Sequence, residues 1–329
     1  MQMQRALLAA ALAATPLFIT PAAAQTKWDL ATAYADTEFQ TKNVRQFADE
    51  VKRNSGGKLE INVHSAQSLI KNPEIKRSIQ TGLVPAGEFF MSNLGPENPL
   101  YEIDAIPFFA SSYPEARALW EVSRGPISAL FEKQGLRVMY SVPWPSQAFF
   151  TKEPVKSLAD IKGKKMRTYN AQTARLGTLM GVIPTTVQAT EIPQAFSTGV
   201  IDLMFTSGPT GVTTRAWEYT KFFYDTGAWV PKNVVLVNIG AFGKLPADVQ
   251  KAFTDAAAVA EKRGWEWSQE QNDETPKVLA KNGIKLDPIT PQFRTELKKI
   301  GDTMLNDWLA KAGEDGKKVV AEYRKKVPQ

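Results

Sequence analysis

The chain has 329 residues, enough for two domains of ordinary size, and its 43% hydrophobic and 22% charged residues describe a globular protein. The absence of cysteine excludes disulfides, thiolate metal sites and cysteine nucleophiles, and a single histidine, His64, leaves histidine-based metal sites and Ser-His hydrolysis poorly supported. A formal charge of +6 without dense Lys/Arg blocks argues against nucleic acid as a partner and fits weak attraction of small anions.

The first residues read as an export signal. Arg5 is its basic start, ALLAAALAATPLFIT its apolar core, and PAAAQ offers small residues for cleavage after Ala24. Pro16 and Pro21 break that run, and no later segment is long and apolar enough to span a bilayer. TKWDLATAY predicts a first strand. FQTKNVRQFADEVKRNSGG predicts a helix, with Val44, Phe47, Ala48 and Val51 on one stripe and Gly56 as its stop. KLEINVHS alternates Leu59, Ile61 and Val63 as a half-buried strand does, and His64 reads as its solvated end. Strands alternating with helices predict an α/β domain with largely parallel pairing.

Two distant segments resemble each other. EIKRSIQTGLVPAGEFFMSNLGP, from Glu74, and EIPQAFSTGVIDLMFTSGP, from Glu191, each read as a short helix, Thr-Gly, an apolar strand and a Ser-containing turn ending Gly-Pro. Gly82 and Gly199 fit the left-handed residue that stops a helix. The match is either the coincidence of a common unit or the mark of two similarly built halves. In the second case the strand ends at Met91–Asn93 and Phe205–Ser207 line a cleft, since ligands collect beyond the carboxyl ends of such strands.

The segments RVMYSVPWPSQAFFT and KNVVLVNIGAFGK fit strands passing from one half to the other. LPADVQKAFTDAAAVAEKRGWEWSQEQNDET predicts one long helix from Pro246, a favoured first helical residue, to Pro276. It is either a strut across both halves or a long surface helix of one domain. GKKMRTYNAQ places Arg167 in a short strand-like run, on the face of Lys165 and opposite Lys164, Met166 and Thr168. The nearest acids along the chain are Asp160 and Glu191.

Five segments, KWDLATAY, GGKLEINVHSAQSL, IDAIPFFASSYPEA, VKSLADIKGKKMRTYN and IPQAFSTGVIDLMFTS, resemble the solute-binding proteins of TRAP (tripartite ATP-independent periplasmic) transporters, the C4-dicarboxylate-binding type, in order and spacing. The block from Ser157 to Arg167 is the most specific. The resemblance implies an α/β, two-domain periplasmic solute-binding protein of the Venus-flytrap type, with crossing strands and a long domain-spanning helix. Its domains would be residues 25–146 plus 234–270, and 147–233 plus 271–329. It implies a monomer that closes on a small organic acid and delivers it to the membrane subunits of an ion-driven transporter, with no enzymatic activity, cofactor or metal.

In that family the arginine matched by Arg167 clamps the ligand carboxylate. A guanidinium presents a planar fork of donors to two carboxylate oxygens, which a lysine cannot do. The competing reading is a structural ion pair of Arg167 with Glu191 or Asp202. Two departures from the family pattern bear on the ligand. Ala148 stands where many members carry a second arginine, and LMFTSGP places Thr206 near the usual asparagine. Their loss points to a monocarboxylate with an apolar body.

Trp144, Phe149, Tyr169, Phe205 and Trp229 fall in or beside the cleft segments and could sandwich a planar ring. Asn93, Gln147, Asn170, Ser207 and Asn233 are the polar groups available for a hydroxyl or oxo substituent. GAWVPKNVVLVN and FTSGPTG are similar to the subset of the family associated with aromatic acids. The reading is therefore a receptor for an aromatic monocarboxylate, with an aliphatic C4-dicarboxylate or 2-oxo acid as the alternative. A sensory module would need the same closure. A carboxylate-based enzyme would need a poised acid–base pair, and no motif supplies one.

Overall fold

The computed structural model describes residues 25–327, so the export signal read in residues 1–24 lies outside the described residues. The chain opens with β1 (Thr26–Thr32), α1 (Phe39–Asn54), β2 (Leu59–His64), α2 (Ile75–Gln80) and β3 (Ala86–Phe90). Then come α3 (Tyr113–Glu132), β4 (Leu136–Pro143), β5 (Gln147–Thr151), β6 (Lys165–Thr168), α4 (Ala171–Met180), β7 (Ile183–Thr186) and α5 (Ile192–Ser197). The remainder is β8 (Leu203–Ser207), α6 (Gly208–Thr213), β9 (Phe222–Asp225), β10 (Lys232–Asn238), α7 (Ile239–Gly243), α8 (Ala247–Lys281), β11 (Lys285–Leu286) and α9 (Pro291–Lys326).

Among the described residues the strands form two sheets, ordered β2-β1-β3-β10-β4 and β11-β9-β5-β8-β6-β7. The likeness of the two segments is carried into topology. Reading β2-β1-β3-β10 against β7-β6-β8-β5, each half has three parallel strands followed by one antiparallel strand. Gly82 and Gly199, at φ of 77° and 68°, make the matching left-handed exits from α2 and α5.

The expected parallel pairing therefore holds only in part, and the crossings explain why. Residues 144–146 carry the chain from β4 to β5, and residues 226–231 carry it back from β9 to β10. Links this short cannot run back along a strand, so the chain enters the next sheet at the end facing the sheet it left and runs opposite to the neighbours that end there. The strand that follows each crossing lies antiparallel to its neighbours, β5 between β9 and β8 and β10 between β3 and β4.

The local signals are well realised. Val44, Phe47, Ala48 and Val51 are all buried on α1, and Leu59 and Ile61 are buried on β2. His64 ends β2 half-exposed, with Nε2 2.7 Å from Asp29 Oδ1. Asn170 caps α4, and Gly181 ends it at φ 75°. The long helix differs at both ends. Pro246 occupies the N-cap rather than the first helical position, and α8 runs through Pro276 to Lys281. A proline inside a helix costs about 3 kcal/mol. The turn beyond it is anchored by Leu279, fully buried in the second half, while just before it Thr275 Oγ1 donates to Gln271 O at 2.7 Å.

Packing shows which halves the long helices join. Phe253, Ala256, Ala260 and Trp265 of α8 lie in the core of the first sheet, while Leu279 lies in a core on the second. α9 divides likewise. Phe293, Leu297, Ile300 and Met304 pack under the second sheet, and Trp308, Val319, Val320 and Tyr323 pack with the first. The expectation that the whole of 271–329 sits with the second half thus differs from the packing. α9 is long enough to return across both, bending at Gly313 (φ 59°).

Gly264 marks the tightest seat of α8. A methyl group there would overlap Val142 Cγ2 of β4 and Asn43 Nδ2 of α1. Helix propensity favours alanine over glycine by about 1 kcal/mol, but overpacking costs about 1–3 kcal/mol. Gly264→Ala is expected to lower the melting temperature; an unchanged or raised one would show that α8 can shift to accommodate the methyl.

Candidate functional site

The matching units bring their strand ends face to face. β3 ends at Phe90 and turns through Met91–Leu94, while β8 ends at Ser207 and enters α6 at once. The cavity between them is lined from the first half by Tyr34, Asn72, Phe90 and Asn93. Trp144 lines it from the first crossing, and Gln147, Arg167, Tyr169, Gln188 and Thr206 from the second half. Its volume is about 50 Å³.

Strand pleating places Arg167. Met166 pairs with Leu203 and both pack in the core beneath, so Arg167, paired with Met204, points to the other face. Arg167 is 4% exposed. Its Nε donates to Val187 O at 2.9 Å, its Nη1 to Thr206 Oγ1 at 3.3 Å, and its guanidinium carbon lies 5.1 Å from the Tyr169 ring centre. A guanidinium has five N–H groups. The three remaining, one on Nη1 and both on Nη2, form the end-on fork that a carboxylate accepts.

Neither proposed acid pairs with it. Glu191 Oε2 accepts from Gln188 N at 3.2 Å, and Asp202 Oδ2 accepts from Lys165 N at 3.0 Å. Among the described residues Arg167 has no carboxylate partner. Burial pulls its pKa down to about 10, opposed by Tyr169, Tyr34 and Tyr219, so it stays charged at neutral pH. A buried cation without an acid is costly in a protein interior. The pocket is built to receive an anion.

Of the other sequence-predicted residues, Trp144, Gln147, Tyr169, Thr206, Ser207 and Asn93 line the cavity. Tyr169 Oη donates to Gln147 Oε1 at 3.1 Å, Ser207 Oγ lies 3.2 Å from Thr210 Oγ1, and Asn93 Oδ1 is buried without a partner. Phe149, Phe205 and Trp229 do not line it. Phe149 and Phe205 are cross-strand partners on the opposite face, with ring centres 4.5 Å apart, and Trp229 packs on Phe205 at 5.0 Å. All three belong to the core under α9. The residues sharing the face of Arg167 are their neighbours Ala148 and Thr206, one position away on each strand.

Asn170 and Asn233 also stand outside the lining. Asn170 Oδ1 accepts from Thr173 N at 2.9 Å, and its Nδ2 donates to Ser92 Oγ of the first half at 2.8 Å. It ties the halves together. Asn233 lies behind the wall: its Oδ1 accepts from Trp144 Nε1 at 2.9 Å and Tyr34 Oη at 3.2 Å.

Several site residues escape the sequence reading. Tyr34 follows the carboxyl end of β1, where the strand-end rule points. Glu88 is an acid inside the apolar AGEFF strand, 1% exposed, accepting from Thr32 Oγ1 at 2.6 Å. Asn72 and Gln188 carry no local signal and meet only across the cleft, Asn72 Nδ2 donating to Gln188 Oε1 at 2.9 Å. Gln67 Nε2 donates to Thr190 Oγ1 at 3.3 Å beside them. Glu38, 4% exposed, accepts from Thr213 Oγ1 across the same cleft, and its Oε2 has no partner. Burial raises the pKa of both Glu38 and Glu88 to about 7.

Residues 30–311 match the model of the bacterial extracellular solute-binding proteins, family 7. Two extracytoplasmic solute receptors of Bordetella pertussis, whose crystal structures are of pyroglutamic acid-binding proteins, are 47% and 44% identical. Each match covers 91% of this chain and 99% or 100% of the other, with a TM-score of 0.90. A marine-metagenome TRAP solute-binding protein from an unidentified microbe, specific for pyroglutamate, is 40% identical over 92% of this chain and 99% of its own, with a TM-score of 0.89. No helix among the described residues is long and apolar enough to cross a membrane. The two-sheet α/β architecture, the cleft between matching halves and the family match agree: the chain belongs to family 7 of the bacterial extracellular solute-binding proteins, and is a periplasmic TRAP receptor for small organic acids, not an enzyme.

Proposed function

We propose that this receptor binds pyroglutamate or a closely similar small cyclic monocarboxylate through Arg167, and hands it as a monomer to the membrane subunits of its transporter. The observation that carries the reading is the buried guanidinium, free of any acid and open to a small cavity. The ligand of three relatives at 40–47% identity supports it. Ala148, fully buried beside Thr206, offers no second cation, which favours one carboxylate over two. Tyr34, Phe90, Trp144 and Tyr169 supply apolar walls for a ring. An aryl acid is the weaker reading, because Phe149, Phe205 and Trp229 are engaged in the core and the ligand of the three relatives is not aromatic.

The domains of this reading are 25–146 with 234–270, and 147–233 with 271–304, the end of α9 from Trp308 packing back on the first half, hinged at the two crossings. The cross-cleft bonds of Glu38, Gln67, Asn72 and Asn170 make the present arrangement the closed one. The ligand touches both halves only when they close, so closure and binding are linked.

Calorimetric titration is expected to show binding of pyroglutamate and little or none of succinate or benzoate. Benzoate binding more tightly than pyroglutamate would restore the aryl-acid reading, and succinate binding more tightly would favour the dicarboxylate.

Arg167→Ala is expected to weaken binding by about 2–5 kcal/mol, roughly 30-fold to several-thousand-fold. Arg167→Lys should recover only part, since the charge returns without the fork. The melting temperature of the ligand-free alanine variant should not fall in proportion, because no acid is left unpaired. A large loss of ligand-free stability with affinity kept within a few-fold would remove Arg167 from the role.

Glu38 predicts a pH dependence. In the closed form its pKa is raised from 4.5 to about 7, chiefly by burial and further by Glu88, against the bond from Thr213 and the charge of Lys42. Opening returns it to water, so the closed form holds a proton that the open form releases between about pH 4.5 and 7. Affinity should therefore fall as pH rises through this window, and Glu38→Gln should flatten the decline. An identical slope in the variant would place the titration elsewhere.

A further inference from the structure

Behind the cavity wall a chain of buried hydrogen bonds runs in one direction. Thr32 pairs with Glu88 between β1 and β3, and Asn233 lies diagonally from Glu88 on β10, so the three share one face of the first sheet. Glu88 accepts from Thr32 Oγ1 at 2.6 Å and from Asn233 Nδ2 at 3.1 Å. With its nitrogen engaged, Asn233 turns Oδ1 toward Trp144 Nε1 and Tyr34 Oη. An indole N–H is a donor only, so the amide atom facing it must be the oxygen. Carboxylate on one side and indole on the other hold the Asn233 amide in one orientation.

Tyr34 is then the donor in its bond to Asn233. Burial raises its pKa well above the ordinary value, so the hydroxyl keeps its proton. A proton taken up by Glu88 would sit toward Thr32 and leave the Asn233 bond as it is. What Tyr34 Oη can offer the cavity it lines is a lone pair. Asn72 behaves alike: its Nδ2 donates to Gln188 Oε1, while its Oδ1 is buried without a partner. Both residues line the cavity that Arg167 enters. The first half thus brings two acceptors, Tyr34 Oη and Asn72 Oδ1, on residues that line the cavity of the cation.

We propose that Glu88, acting through Asn233, holds Tyr34 Oη as an acceptor which, together with Asn72 Oδ1, selects acids that carry an N–H or O–H donor beside their carboxylate. The inference rests on the reading of Arg167 as the carboxylate clamp. The favoured class is lactam, amido and hydroxy acids. An acid with an ether or ester oxygen at the same position sets oxygen against oxygen and leaves buried acceptors unpaired. Tyr34 and Asn72 are the contacts; Glu88 and Asn233 are positioning residues.

Three matched pairs, each differing in one donor, test this by calorimetry: pyroglutamate against 5-oxotetrahydrofuran-2-carboxylate, pyrrole-2-carboxylate against furan-2-carboxylate, and lactate against propionate. In any pair that binds, the donor member should be about 10- to 100-fold tighter, the effect of one buried acceptor left unpaired. Tyr34→Phe should shrink that ratio several-fold while leaving the donor-free member nearly unchanged. Glu88→Gln, which keeps an acceptor for Asn233, should preserve the ratio and the Trp144 indole N–H resonance. Glu88→Met should move that resonance and lower the ratio.

The outcomes separate the two readings. Donor preference in the pyrrole or lactate pair without binding of the lactam pair would support the acceptor wall and overturn the pyroglutamate reading. Equal binding within the lactam pair would overturn the wall and leave that reading standing. Equal weakening of both members by Tyr34→Phe would reduce Tyr34 to packing and overturn the wall. Binding of none of the six acids would overturn both.

Discussion

A guanidinium held out of water without an acid beside it is the charge around which this site is arranged. Arg167 keeps its position through Val187 O, Thr206 Oγ1 and the face of Tyr169, none of which neutralises it. Hydrogen bonds orient a buried charge but do not remove the cost of burying it. The remaining N–H groups and the unmet charge together make the pocket selective for an anion. An acid partner within the protein would have abolished that. Glu191 and Asp202 are instead engaged by backbone N–H groups, in a turn and at a strand start.

The architecture explains how such a charge can be both buried and reachable. Each half is a mixed sheet with its own helices, in which three parallel strands end toward the other half. Two short crossings join the halves, so β5 and β10 each enter their sheet at the end facing the other half and run antiparallel to the strands that end there. Thus the segments linking the halves are also the strands next to the pocket: Trp144 lies on the first crossing, and Asn233 is the second residue of β10. Any movement at the crossings is felt at the wall of the cavity. α8 and α9, each packed with both halves, make the join substantial without sealing the cleft.

The polar interior of the first half has a complementary role. Glu88 lies in the middle of an otherwise apolar strand, where an acid is tolerated because Thr32 and Asn233 donate to it. Fully bonded buried networks restrict side chains to one arrangement. Here the restriction passes to two ring walls, Trp144 and Tyr34, so that rigidity in the core becomes shape and polarity in the pocket.

By itself the sequence determined the α/β class, the likeness of two distant segments, the stripe of α1, the glycine exits after α2 and α5, and Arg167 as a charge with no acid close along the chain. These are local or periodic properties, set by side-chain spacing and by the few residues that tolerate a left-handed backbone. What it could not determine was phase and partnership. Phe149 and Phe205 lie one position from Ala148 and Thr206, and with period two that single step separates core from cavity. Asn170 and Asn233 were legible as polar residues near strand ends; only folding shows that one ties Ser92 and the other holds Trp144 and Tyr34. Asn72 and Gln188 are far apart in the chain and silent in pattern. They become site residues because two sheets bring their strand ends together, a matter of tertiary distance that no local signal encodes.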